Sequence, residues 1–129
     1  MTRRIVLDAG GLDALDAATG GAARAVVEEA VVRGAELWCT AVTVAELSRG
    51  RARASRIASL LGRGTGSAAI RVQGTDLPFA RLVATVLHAA SAGSEDMADA
   101  HVVACCIGAD QALVLTTDPE DLRRLSEPL

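Results

Sequence analysis

The chain contains no lysine and no tyrosine, and its only large rings are Trp38 and Phe79. A core with so few rings must be filled by Ala, Val and Leu, which bury less apolar area per residue than aromatics do. Some apolar surface is therefore expected to need a partner. Long apolar runs are missing too: none approaches the roughly 18 residues of a membrane span. The opening MTRRIVLDAGG has no apolar stretch before its first acid, so no signal peptide is read and a cytoplasmic location is expected. Cysteine is scarce and odd in number, at Cys39, Cys105 and Cys106, without a CxxC pair. Neither a disulfide framework nor a zinc site is supported, and these thiols read as small buried hydrophobes.

At 129 residues the chain is long enough for one domain spanning 1–129, burying roughly two-thirds of its unfolded surface. Its net charge of −3 argues against indiscriminate coating of nucleic acid. The charges are unevenly placed, however. Between Leu47 and Thr75 there is no acid, while Arg49, Arg51, Arg53, Arg56, Arg63 and Arg71 all fall there. That concentration makes one basic surface beside acidic ones. It marks Arg49, Arg51, Arg53 and Arg56 as candidates for holding phosphates, although a solvated helix face explains the same pattern.

Short β-branched runs at 4–8 (RIVLD), 36–42 (ELWCTAV), 68–72 (AAIRV) and 112–117 (ALVLTT) predict strands. Between them lie helical stretches: two divided near Gly20-Gly21 and closed by Gly34, one over 43–61 broken at Gly50, then 78–91 and 95–108. The stretch 95–108 is apolar nearly all round and so should be buried. GRGTGS (62–67) reads as a loop, and PEDLRRL (119–125) as a last short helix. Strands alternating with helices indicate an α/β three-layer sandwich: a parallel sheet of four strands covered on both faces.

Several acids stand where strands end and helices begin. Asp8 closes the first strand, where an acid also serves as an ordinary turn starter. Glu46 follows Thr43 at capping-box spacing, and Asp118 precedes Pro119 as an N-cap would. Asp96 and Asp99 lie three apart, roughly 5–6 Å on one helix face. With Ser94 as N-cap, Asp96 falls in the first turn, where the helix dipole favours it. Asp99 lies deeper and gains little from that dipole. Two charges at such spacing repel by about 3 kcal/mol at an effective dielectric near 20. In parallel sheets, sites form at the carboxyl ends of the strands, so these acids can converge on one crevice. Ionised carboxylates tolerate one another around a cation, and all-oxygen ligation suits Mg²⁺ or Mn²⁺.

Other acidic folds fail on particular residues. A receiver domain and a phosphate-binding P-loop both need a lysine, and the Asp-x-Asp of haloacid-dehalogenase-type phosphatases meets Gly10 here. His88 and His101 have no nucleophile at a recognisable spacing and read as surface or supporting residues.

The ordered set of Asp8 in IVLDAG, Glu46 in TVAEL, Asp99 in ADAHVVACC and Asp118 in LVLTTDPEDLRRL resembles a PIN domain. Within that family the chain is most similar to VapC-type toxins of type II toxin–antitoxin pairs, over about residues 4–125. The resemblance implies a parallel α/β sandwich, with a fifth strand added to the sheet, and a Mg²⁺- or Mn²⁺-dependent endoribonuclease. It makes Asp8, Glu46, Asp99 and Asp118 the acidic quartet that is both catalytic and metal-binding, supported by Thr116, with Asp96 a further candidate. It also implies RNA as substrate, a homodimer, and inhibition by a cognate VapB-like antitoxin. The chain departs from the pattern at Gly10, where the family often has a hydroxyl or an acid, and in reaching position 129 without a further strand. Two readings from other classes compete: a catalytically silent PIN-like module that binds RNA or protein, and a metal-dependent phosphatase of small molecules.

Overall fold

A computed structural model describes residues 1–16, 21–63 and 69–129, with the backbone alone for Arg63. Most of the expected loop at 62–67 and the expected division just before Gly21 lie outside these residues. The strands are β1 (Arg3–Leu7), β2 (Glu36–Thr40), β3 (Ile70–Gln73) and β4 (Gln111–Leu115). All pair in parallel, in the spatial order β3-β2-β1-β4. The sheet thus has four strands among the described residues, and the fifth that the resemblance implies is not among them.

The helices follow the connections. Helices α1 (Ala9–Asp16) and α2 (Gly21–Val32) join β1 to β2, and α3 (Ala41–Leu47) and α4 (Arg51–Arg63) join β2 to β3. Helices α5 (Leu77–Ala89) and α6 (Met97–Cys106) join β3 to β4, and α7 (Pro119–Ser126) follows β4. The chain winds outward from β1 to β3 and then returns across the sheet to β4. With right-handed crossovers, that reversal sends the two sets of helices to opposite faces.

Alternation within each strand divides the core accordingly. Ile5, Leu7, Leu37, Cys39 and Ile70 face one layer, against Leu12, Leu15, Val27, Leu47, Ile57 and Leu60. Val6, with half-buried Trp38 and Val114, faces the other, against Phe79, Val83, Val86, Leu122, Leu125 and the inner residues of α6. Helix α6 is buried from Ala100 to Cys105, as its all-round apolar sequence predicts. The two outer helices differ in how well they are covered. Helix α5 buries Phe79, Val83 and Val86, whereas α2 buries only Val27 and leaves Val26 and Val32 exposed. Among the described residues no helix is long and apolar enough to cross a membrane.

Some boundaries shift from their expected places. Strand β2 stops at Thr40 rather than 42, because the buried Thr40 hydroxyl accepts from the Thr43 amide and starts α3 there. The helical stretch over 43–61 is broken at Gly50 as expected, with φ +89° there, a conformation glycine adopts without steric cost. The buried helix opens with a 3-10 turn, Ser94–Asp96, before α6 proper.

Candidate functional site

The winding reverses between β1 and β4, so the crevice expected of such sheets opens at the carboxyl ends of those two strands. Asp8 follows the last residue of β1, and Thr116 the last residue of β4. They meet across the reversal: the Thr116 hydroxyl donates to Asp8 Oδ2 at 2.5 Å and accepts from the Asp118 amide at 3.0 Å. The other oxygen, Asp8 Oδ1, accepts from the Gly11 amide at 2.8 Å, while the Asp8 carbonyl takes the first helical bond from Leu12. Asp8 is therefore the N-cap of α1 as well as a crevice carboxylate.

Gly11 makes this contact possible. A Cβ at Gly11 would overlap the Leu115 carbonyl, and one at Gly10 would overlap the Thr117 side chain. The missing side chain lets the start of α1 lie directly on the end of β4, which brings Asp8 to Thr116. Gly11 is the position that must lack a side chain, because it faces backbone; at Gly10 the conflict is with the Thr117 hydroxyl, which can turn away.

Asp99 sits in the first turn of α6, half-buried. Burial raises its carboxyl above the ordinary range, and the charges of Asp121, Asp8, Asp96 and Glu46 raise it further. Residues from α1's cap, α3, the start of α6 and α7 thus act on one carboxylate. Glu46 is exposed on α3, a helix that also touches α6. Its capping-box explanation does not hold: Thr40, not Thr43, caps the helix, so Glu46 lies well past the third position. Among the described residues no cation pairs with Asp99 or Glu46.

Two acids behave differently from their sequence reading. Asp118 is exposed, occupies the N-cap position of α7 without a side-chain cap bond, and is not among the charges raising Asp99. Asp121, one turn further along α7, is the largest of those charges. The signal for Asp121 was in PEDL, where it repeats the three-residue spacing of Asp96 and Asp99. Asp96 lies in the first turn as expected, but the cap of that turn is Gly93 rather than Ser94, and Asp96 also has a charged partner. It is buried, ends the 3-10 turn, and accepts from Arg124 Nη2 at 2.6 Å, which ties α7 to the start of α6. Arg124 also stands 3.6 Å from Asp121.

All the potential ligands here are carboxylate and hydroxyl oxygens, which suit Mg²⁺ or Mn²⁺ rather than softer metals. Among the described residues no group of three His, Cys, Asp or Glu side chains is set closely enough to hold a metal ion. An ion taken up by Asp8, Glu46 and Asp99 would have to draw them together. Asp8 is anchored at both oxygens, so the longer Glu46 side chain and Asp99 would make the movement.

His101 is buried rather than at the surface. Its Nδ1 donates to the Met97 carbonyl at 2.8 Å and its Nε2 is hydrogen-bonded to the Thr75 hydroxyl at 3.1 Å, while the ring packs beside Phe79. His88 is exposed near the end of α5. The three thiols are buried or half-buried, and burial pushes them up, to about 12 for Cys39 and Cys106 and about 11 for Cys105. None is a thiolate nucleophile at neutral pH.

The candidate RNA-holding arginines lie along α4 and just before it. Arg49 Nε donates to the Glu46 carbonyl at 3.1 Å, which places the first of them beside the crevice. Arg51 and Arg56 are exposed, and Arg53 stands 3.9 Å from Asp13. Among its described side chains helix α4 buries Ile57 and Leu60, leaving a broad solvent-facing side for these cations. No protein-family model, no curated protein and no solved structure matched this chain.

Proposed function

We propose that the protein is a PIN-like, Mg²⁺- or Mn²⁺-dependent endoribonuclease of the VapC type. The observation that carries this reading is the environment of Asp99: four other carboxylates, drawn from separate segments, act on it at the open end of a parallel sheet. A stable fold gains nothing from such opposition, whereas a site for a divalent cation requires it. Asp8, Asp99 and Glu46 are the residues we assign to hold the ion, with Asp118 and Asp121 at the α7 side of the crevice. Once bound, the ion would lower the pKa of a coordinated water and offset charge on the scissile phosphate. Thr116 fixes the orientation of Asp8, and the arginines of α4 hold flanking phosphates without choosing a sequence.

The toxin role, a VapB-like antitoxin that blocks the crevice, and a homodimer belong to the same proposal. Exposed Val26 and Val32 on α2, together with a core poor in rings, support a partner surface. One observation favours a second reading, a silent RNA- or protein-binding module: the carboxylates stand apart rather than grouped around a point.

The deciding experiment is cleavage-site mapping on total RNA with and without Mg²⁺, for the native chain and for Asp99→Asn. The nuclease reading expects discrete Mg²⁺-dependent cuts that the folded variant loses by on the order of 100-fold or more, since metal activation is worth several kcal/mol. Equal cleavage by both chains would remove Asp99 from the site. Binding without cleavage in either would favour the silent module.

A further inference from the structure

We infer that Arg124 is a phosphate-contacting residue of this crevice, held ready by Asp96 for a non-bridging oxygen of an RNA backbone. The inference rests on the nuclease reading and adds a residue that neither the motif order nor the spacing of the acids marks.

Arg124 Nη2 lies 2.6 Å from Asp96 Oδ1 and 3.6 Å from Asp121 Oδ1. The two partners of the close contact are unequally exposed, with Arg124 at 48% and the Asp96 side chain at 9%. Asp96 thus grips the guanidinium from inside while much of it stays in solvent. Both contacts use the same terminal nitrogen. A guanidinium carries five donors in a planar fork, so one so held still presents another edge to an oxyanion.

The charge balance gives that edge a purpose. RNA approaching Asp99 must bring phosphates toward Asp8, Glu46 and Asp121, all of one sign with it. Repulsion among unit charges a few ångströms apart amounts to kcal/mol even at a high effective dielectric. Arg124 is the guanidinium that side-chain contacts bind into this acid group among the described residues. Arg124 lies in the last turn of α7, and its contacts with Asp96 and Asp121, two of the acids whose charges act on Asp99, set it beside this acid group. A purely structural tie between α7 and α6 would use the same pair of residues, but the two roles respond oppositely to removal of Asp96.

The test measures binding of a short single-stranded RNA by fluorescence anisotropy in EDTA, over a range of salt, with native chain, Arg124→Gln, Arg124→Lys and Asp96→Asn. The expected result is a loss of about tenfold in affinity for Arg124→Gln, the scale of one charge-assisted hydrogen bond. Its log–log salt slope should fall by roughly 0.7, one single-strand phosphate contact. Arg124→Lys, which keeps the charge, should recover part of both, and it remains informative if the Gln variant does not fold. Asp96→Asn, which frees the cation and removes a like charge, should bind at least as tightly as the native chain. Equal losses for Asp96→Asn and Arg124→Gln, or an unchanged affinity and slope for Arg124→Gln, would overturn the inference. Mg²⁺-dependent cleavage by a chain whose Arg124→Gln form is unimpaired would overturn this assignment alone. A native chain that neither binds nor cleaves RNA would overturn the nuclease reading with it.

Discussion

The two ends of the sheet handle charge in opposite ways. Toward the amino ends of the strands Arg4 and Arg71 are held by partners. Arg4 donates to the Cys105 carbonyl at 2.7 Å, near the C-terminus of α6, and lies 4.3 Å from the Trp38 ring centroid. Arg71 approaches the same ring at 5.7 Å and pairs with Glu36 at 2.8 Å, while Trp38 Nε1 donates to Glu36. Cation, ring, carboxylate and helix end all attract, so that end is built for stability. At the carboxyl ends, the charges of Asp121, Asp8, Asp96 and Glu46 act on Asp99, and among the described residues Arg124 is the cation that reaches into the group. Opposed charges persist where the rest of the fold imposes them, and perturbed carboxylates in a cleft are the usual mark of a functional site. Removing a charge should therefore destabilise the chain at one end and stabilise it at the other.

The largest expected effect is at Arg4. Arg4→Ala removes the stacking on Trp38 and the bond to Cys105, and should cost about 2 kcal/mol by denaturant unfolding. Arg4 Nε is itself buried without a partner, a standing cost that keeps the loss from being larger. A loss below about 0.5 kcal/mol, the range of an unimportant surface change, would mean that the paired end contributes little and that the contrast between the ends is not one of stability.

Thr116→Val should cost about 1 kcal/mol, because Asp8 Oδ2 and the Asp118 amide both lose a partner. If the nuclease reading holds, the same change lowers Mg²⁺-dependent cleavage by roughly tenfold, as for groups that orient metal ligands. Loss of stability with unaltered cleavage would make Thr116 a structural tie between β1 and β4 only.

The smallest effect carries the opposite sign. The Asp99 carboxyl is raised above its ordinary 3.8, so its protonated form is the one the fold favours. Its contribution to stability is present below the unfolded value and is lost as pH rises through the folded one. Asp99→Asn should therefore melt above the native chain in metal-free neutral buffer, by on the order of 3 °C. That advantage should shrink as pH falls toward 3.8. A variant that melts lower at neutral pH would show that Asp99 is stabilised where it stands, and the carboxyl end would lose its special character.

The alternation of strands and helices was readable because each strand is a short β-branched run bounded by glycine, acid or threonine, and α6 is apolar on every side. The exact ends were not. Thr40 looks like an ordinary strand residue until its hydroxyl is seen to accept from Thr43, and that one bond moves the start of α3 and frees Glu46 from its expected cap. In the crevice, Asp8 and Asp99 were singled out by position relative to the elements. Asp121 was passed over because Asp118, beside Pro119, gives the stronger local signal; which of them faces Asp99 depends on how α7 is rotated against α6.

Sequence by itself determined the class of fold and the supply of carboxylates at the ends of its elements, because periodicity and helix or strand termini are local properties of the chain. Tertiary structure alone decided which charges oppose and which pair. The meeting of Asp8 with Thr116 needs Gly11, whose missing side chain lets α1 rest on the Leu115 carbonyl of β4. The capture of Asp96 by Arg124 joins residues 28 apart in the chain. Coulomb energy depends on distance in space and on burial, and neither is written in the order of residues.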